Sequence, residues 1–389
     1  MKVLLLLVMF ALIPVAGSRA EVFVVRPDGQ GTVPDIQTAV NASTDGDEIW
    51  LISGVFTGPG NRDIQIGPRN ILIKSFDEDP ATCIIDCGGS PAEPHRAFIS
   101  AASECQTTVI QSITMRGGYA PGGGGAMHII GHSSVIVNNC VFEDNATGMT
   151  DWHGGGAVYA DRSGTPVFND CVFRNNQGFA GGALNSNHGG RVTFNDCRFI
   201  GNLAIRGGAI YGLTTVKIGC LFADNEAADW GGAVWHNSYG LDYYESCTFD
   251  GNRAPLGGAI MAAANYGGSV EMIDTIISNC PDGAAIVISP SVPITLSCSN
   301  LYGNAGGDWI EPFANQVDER GNFSANPCYC DADGEDFHLS ADSYARPGGH
   351  PWGCDQLVGA YGVGCGDIGC NGPVAVEGMT FGSLKSLYR

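Results

Sequence analysis

A four-residue unit, Gly-Gly-Ala followed by an aliphatic residue, returns along the middle of this chain at nearly constant intervals. It begins at Gly124, Gly155, Gly181, Gly207, Gly231 and Gly257, with a degenerate copy at Gly283-Ala284-Ala285-Ile286. Successive copies start 31, 26, 26, 24, 26 and 26 residues apart. A second unit, Cys-x-Phe-x-x-Asn, lies between them: Cys140/Phe142/Asn145, Cys171/Phe173/Asn176, Cys197/Phe199/Asn202, Cys220/Phe222/Asn225 and Cys247/Phe249/Asn252. A fixed period in the mid-twenties means a repeat array. One such unit cannot bury its own apolar face, whereas stacked units share a continuous core.

Helical repeats are excluded. Two glycines per unit weaken helix interiors, and Cys and Phe stand two residues apart, the spacing of one strand face. Cys and Phe therefore share the inward face, and the residue between them points out. Thr193 and Lys217 are expected to follow the same outward alternation in the preceding strand. Three short strands joined by tight turns fill the period, and successive coils stack as parallel sheets about 4.8 Å apart. On this arrangement the phenylalanines form an internal column. The asparagines sit at the bend after each strand, where Asn tolerates unusual backbone angles and bonds the next Asn. The Gly-Gly pairs supply positive φ or close backbone approach at another corner.

Recurrent Gly-Gly-Ala-[Ile/Leu/Val] and Phe-x-x-Asn resemble the paired motifs of chlamydial polymorphic outer-membrane protein repeats. They also resemble the wider group of bacterial right-handed parallel β-helix repeat proteins. The match is ordered from Gly124 to Asn304. The resemblance implies an all-β, pectate-lyase-like right-handed parallel β-helix. The chain departs from the chlamydial proteins in lacking a long C-terminal region that could form a membrane barrel.

The flanks fit the same architecture. Asp35 to Val40 has apolar residues at 36, 39 and 40 in helical spacing. It is similar to the helix that caps the first coil of many pectin-acting β-helices, where an open end would expose core and strand edges. We assign residues 1–20 to a signal peptide, 21–325 to the β-helix with its N-terminal cap at about 21–60, 326–370 to a Cys-rich C-terminal cap, and 371–389 to a linker and short tail. Lys2, the apolar run Val3–Leu12 and Ser18-Arg19-Ala20 have the order of a secretory signal. The run is too short to span a bilayer, so the mature chain is expected to be secreted or displayed at the cell surface without a membrane span. In the tail, Phe381, Leu384, Leu387 and Tyr388 fall near one helix face beside Lys385 and Arg389, which reads as an address segment or a frayed end.

Fifteen cysteines in an exported chain raise the expectation of disulfides, and their odd number leaves at least one unpaired. The repeated column, from Cys140 to Cys247 with Cys280 continuing it, suits buried thiols. Cys83, Cys87 and the five cysteines from Cys328 onward are the better disulfide candidates. Their spacing lacks the knuckles of a zinc site. The formal charge is −21, and removal of Lys2 and Arg19 takes it to −23. Such a surface excludes nucleic acid and anionic lipid as partners and disfavours polyanionic substrates.

Chemistry is harder to find than fold. Pectin-degrading enzymes use this architecture, so a polysaccharide lyase or glycoside hydrolase is the alternative reading, but fold alone is weak warrant. No paired carboxylates mark a repeat face, no Gly-His-Gly occurs, and Arg and Lys are scattered. No catalytic residue and no cofactor is assigned. Asp331-Ala332-Asp333-Gly334-Glu335-Asp336 resembles a calcium loop superficially but has Asp342 where the bidentate Glu belongs, so no metal is assigned. The residue after each Gly-Gly-Ala-aliphatic unit should point outward: His128, Tyr159, Asn185, Tyr211, Trp235 and Met261. With Trp152 and Trp230 from neighbouring loops, Tyr159, Tyr211 and Trp235 are expected to form an exposed aromatic strip for a glycan or a cell-surface protein. The functional expectation is a binding or adhesion scaffold without catalysis.

Overall fold

The computed structural model describes residues 20–102, 107–131, 133–149, 154–161, 164–187, 190–237, 240–263, 267–350 and 353–370. Residues 1–19 of the proposed signal segment, the tail 371–389 and Trp152 lie outside them.

One coil shows how each repeat folds. After Gly181-Gly182-Ala183 the chain forms a strand, Leu184–Asn187, then Val192–Asn195, Arg198–Ile200 and Leu203–Arg206, and so reaches Gly207-Gly208. Coil upon coil, these strands build four parallel sheets. We name them A (eleven strands, containing Val192–Asn195), B (ten, containing Arg198–Ile200), C (nine, containing Leu184–Asn187) and D (five, containing Leu203–Arg206). The turns between them are single left-handed residues. Asp170, Asp196 and Gly219 join A to B, and Asn175, Gly201 and Asp224 end B, all with φ between 51 and 65°. Asp, Asn and Gly dominate there because other side chains resist that backbone region.

Like residues do stack on like. Phe142, Phe173, Phe199, Phe222 and Phe249 are in direct register, fully buried, with ring centroids 4.6, 4.9, 4.6 and 4.5 Å apart and nearly parallel planes. Phe168 and Phe194 form a second column from sheet A, edge-on to the first. The asparagines differ from expectation in one respect. The left-handed residue is the one before each of them, and the Asn itself turns inward. Asn145 Nδ2 donates to Asn176 Oδ1 (3.0 Å), Asn176 to Asn202 (3.0 Å), Asn202 to Asn225 (2.9 Å) and Asn225 to Asn252 (2.9 Å). Each amide also donates to a Phe carbonyl of the neighbouring coil or its equivalent, so this buried polar ladder is satisfied.

At the Gly-Gly corner the two glycines divide the work. The first takes positive φ in most copies, as at Gly181 (75°) and Gly207 (63°). The second lies against the next coil, where a Cβ on Gly182 would collide with the Gly208 carbonyl.

Lys217 corrects the sequence expectation. It pairs with Phe194 in sheet A and is completely buried, pointing inward. Thr193 stays on the outer face, partly exposed.

The helix α1, Ile36–Ala42, is N-capped by Asp35, which accepts from Thr38 N (2.7 Å), and lays Ile36, Ala39 and Val40 on the core. At the other end Phe313 enters the core, with Trp309 and Ile310 packed against it. The Cys-rich segment 326–370 packs along the outside of sheet B. Phe337 packs on Leu221 and Ala223, Ala360 N donates to Thr248 Oγ1 (2.9 Å) and Tyr329 shares a hydrogen bond with Ser278 (2.9 Å). Disulfides Cys298–Cys354, Cys328–Cys370 and Cys330–Cys365 hold it. Cys83 and Cys87 are not disulfide-bonded. Both are buried thiols, as are Cys140, Cys171, Cys197, Cys220, Cys247 and Cys280.

This cover has an electrostatic consequence. Burial lifts Asp250 from 3.8 to about 6, against the hydrogen bonds it accepts from Ser278 and Asn279, and the nearby Asp224 and Asp333 add to the rise. Asp274 is raised to about 6 as well, first by desolvation and then by Glu245. A carboxyl whose folded pKa is raised holds its proton more tightly in the native state. Its stabilising contribution is therefore full below the unfolded value of 3.8 and lost as pH climbs through about 6. Asp250→Asn should raise the melting temperature at pH 7 and flatten the fall in stability between about pH 4 and 6. Thermal melts across that range would show an unchanged slope if the assignment is wrong.

Candidate functional site

The outward row of sheet C is continuous. His128, Tyr159, Asn185, Tyr211, Trp235 and Met261 follow one another in register across six rungs. The row is not the open platform expected from sequence. Tyr159, Tyr211 and Trp235 are only 4, 7 and 4 % exposed. Tyr211 and Trp235 (centroids 4.7 Å apart) join Ala180 in a small apolar cluster outside the main core, with Phe179, Trp230 and Met261 packed on it. Trp230 is partly exposed and meets Trp235 edge-on at 5.2 Å.

The reason is the tightness of the two-glycine corner. The residue just before the glycines and the residue after the aliphatic one face each other across it, so Trp230 covers Trp235. Arg206 completes the lid, its guanidinium carbon 4.1 Å from the Trp230 ring centre and 5.1 Å from that of Trp235, with Asp229 3.5 Å from its Nε.

Polar capacity remains on this face. Among the described residues, the Trp235 Nε1 donor is buried with no hydrogen-bond partner, and so is His128 Nε2. The His128 ring lies 5.1 Å from Tyr159. Removal from water, then the charge of Arg96, push its pKa down to about 4, so it is neutral at physiological pH. Asn237 Nδ2 donates to Tyr211 Oη (3.3 Å) beside the row. The face therefore carries a mostly buried row of side chains, with Trp230 partly exposed at its edge.

Two features escaped the sequence reading. Along the cover on sheet B, shallow clefts of about 280 and 330 Å³ meet at Arg198 and Tyr361. Arg198 there pairs with Glu335 (3.3 Å). Asp331, in the sequence that suggested a calcium loop, accepts from Gly334 N (3.1 Å), and Asp336 bonds His338 (2.7 Å). The second feature lies inside the solenoid: Lys217, Asp242, His236, Tyr244 and Thr215 converge, all essentially without solvent contact. A count could have found it. Lys217 stands three residues before Cys220, as Phe194 does before Cys197 and Phe168 before Cys171.

Comparison with known proteins agrees with this architecture. Residues 97–227 match the family model described as right handed beta helix region. No curated protein sequence matches the chain. Among solved structures, a pectate lyase is similar over 89 % of this chain and 97 % of its own, with 13 % identity and a TM-score of 0.50. A pectin methylesterase from Aspergillus niger shares 13 % identity over 75 % of this chain and 91 % of its own, with a TM-score of 0.41. The pectin methylesterase from carrot shares 14 % over 79 % and 88 %, with a TM-score of 0.37. At such identities the likeness is one of fold: an all-β parallel solenoid with a right-handed β-helix repeat region and pectate-lyase-like architecture.

Proposed function

We propose that the protein is a secreted or surface-displayed binding scaffold that holds a neutral segment of a glycan against the outer row of sheet C. The observation that carries this reading is the partly exposed Trp230 ring, at the rim of an aromatic cluster that the main core does not use. A sugar ring stacked on Trp230 would bury that ring further. The likeness of the repeats to chlamydial surface proteins, the proposed signal segment and the three disulfides support an extracellular location. The tail 371–389 is, on this reading, an address or attachment segment.

Trp230→Ala is the test, because it removes the partly exposed ring. A glycan array should show retained folding and affinity weakened by between about twofold and tenfold for the bound sugar. Unchanged affinity would remove Trp230 from the site. The same preparation should leave pectin, alginate and neutral glucans intact, with or without calcium. Sustained product release that one acidic substitution abolishes would favour a polysaccharide-active enzyme instead.

A further inference from the structure

We infer that Lys217 and Asp242 are joined in the folded protein by an autocatalytic isopeptide bond between neighbouring coils. The inference does not rest on the glycan reading and concerns a different part of the molecule.

The two residues sit on adjacent parallel strands of sheet A, Thr215–Ile218 and Leu241–Glu245, with Lys217 paired to Tyr244. Lys217 occupies a place that phenylalanine fills in the two preceding coils, and its Nζ lies 3.8 Å from the centre of the Tyr244 ring. It meets Asp242 Oδ1 in direct contact. Neither side chain has any solvent exposure. An ammonium and a carboxylate in such surroundings lose nearly all their hydration, which disfavours both charges. Proton transfer between them yields a neutral amine and a neutral acid, the forms that react. Desolvation also lowers the Lys217 pKa, opposed by the attraction of Asp242.

The surroundings supply the remaining chemistry. Thr215 Oγ1 donates to Oδ1 (2.5 Å) and Tyr244 Oη to Oδ2 (2.6 Å), so a hydroxyl polarises each carboxyl oxygen and can hold the oxyanion of a tetrahedral intermediate. His236 Nδ1 lies 3.7 Å from Oδ2, near enough for the ring to relay a proton. The lysine nitrogen attacks Cγ of Asp242. The Nζ–Cγ bond forms and one Cγ–O bond breaks. The ammonium gives up two protons, which leave with that oxygen as water, and the third remains on the amide. Nothing is oxidised or reduced, and no external reagent is needed. The product replaces two buried charges with one amide dipole, and exclusion of bulk water protects it from hydrolysis.

Mass spectrometry decides. The full-length protein, purified, fully reduced and alkylated, should be lighter by one water than its processed sequence. Trypsin should fail to cleave after Lys217, and fragmentation should show a branched peptide carrying both Lys217 and Asp242. Lys217→Arg keeps the charge but should run at the full mass. Recovery of Lys217 and Asp242 in separate, unmodified peptides would overturn the inference, leaving a buried ion pair. So would the same loss of water in Lys217→Arg, which would place the dehydration elsewhere. The wild-type measurement needs no variant to fold.

Discussion

Phe199→Ala is expected to destabilise the protein by about 3–5 kcal/mol. Phe199 stands in the middle of the internal column, 4.9 Å from Phe173 and 4.6 Å from Phe222, with Phe194 edge-on at 5.1 Å. Removal of the ring takes away its transfer free energy and leaves a cavity, and the second term depends on how far the walls can close. Here they can close little. The strands above and below are tied into parallel ladders, Phe173 to Phe199 to Phe222, and the Asn ladder fixes the adjoining turn. Phe199→Leu fills part of the space and should lose less. The urea midpoint, with the slope checked for constancy, measures both. A loss below about 1 kcal/mol would mean that the column collapses around the gap, contrary to a rigid ladder.

The same ladders explain what was legible in the sequence. A solenoid core is built from short-range rules repeated many times. Two-residue alternation places Cys140 and Phe142 inward, and the repeat interval places Phe173 beneath Phe142. These rules need no knowledge of distant contacts, so the column and the Asn ladder could be read directly. The outer surface obeys no such rule. Tyr211 and Trp235 point away from the core as the alternation requires, yet their exposure depends on Trp230 and Arg206 across the glycine corner. The path of the C-terminal segment over sheet B was equally hidden, because it depends on contacts such as Phe337 on Leu221, far apart in sequence. Cys83 and Cys87 were misassigned for a related reason: proximity to a chain end suggested a disulfide, whereas both side chains lie in the core, Cys83 on its strand and Cys87 just after it.

Lys217 was misread for a different reason: the assumption that a lysine in a strand faces water overrode the three-residue spacing to Cys220 that places it inside. That placement makes Lys217→Ala the second large effect. Removal of the side chain should cost about 3–5 kcal/mol, because the cross-link cannot form and Asp242 is left buried as a free carboxyl without a counter-group. Asp242 would keep the hydroxyls of Thr215 and Tyr244, which hydrogen-bond a carboxylate but carry no charge. In the variant the amide cannot form, and desolvation, no longer opposed by Lys217, should raise the pKa of the free Asp242 carboxyl. A carboxyl whose folded pKa is raised holds its proton more tightly in the native state, so its contribution is lost as pH climbs through that value. The variant should therefore lose stability as pH rises, a dependence that the wild type, with Asp242 in an amide, does not have. Asp242→Ala strands the lysine in the same way, and the double alanine variant removes both groups. Its loss should fall well short of the sum of the single losses, a coupling on the order of 1–3 kcal/mol for residues in direct contact. Additive losses in urea titrations of all three variants would show that Lys217 and Asp242 do not act as a pair.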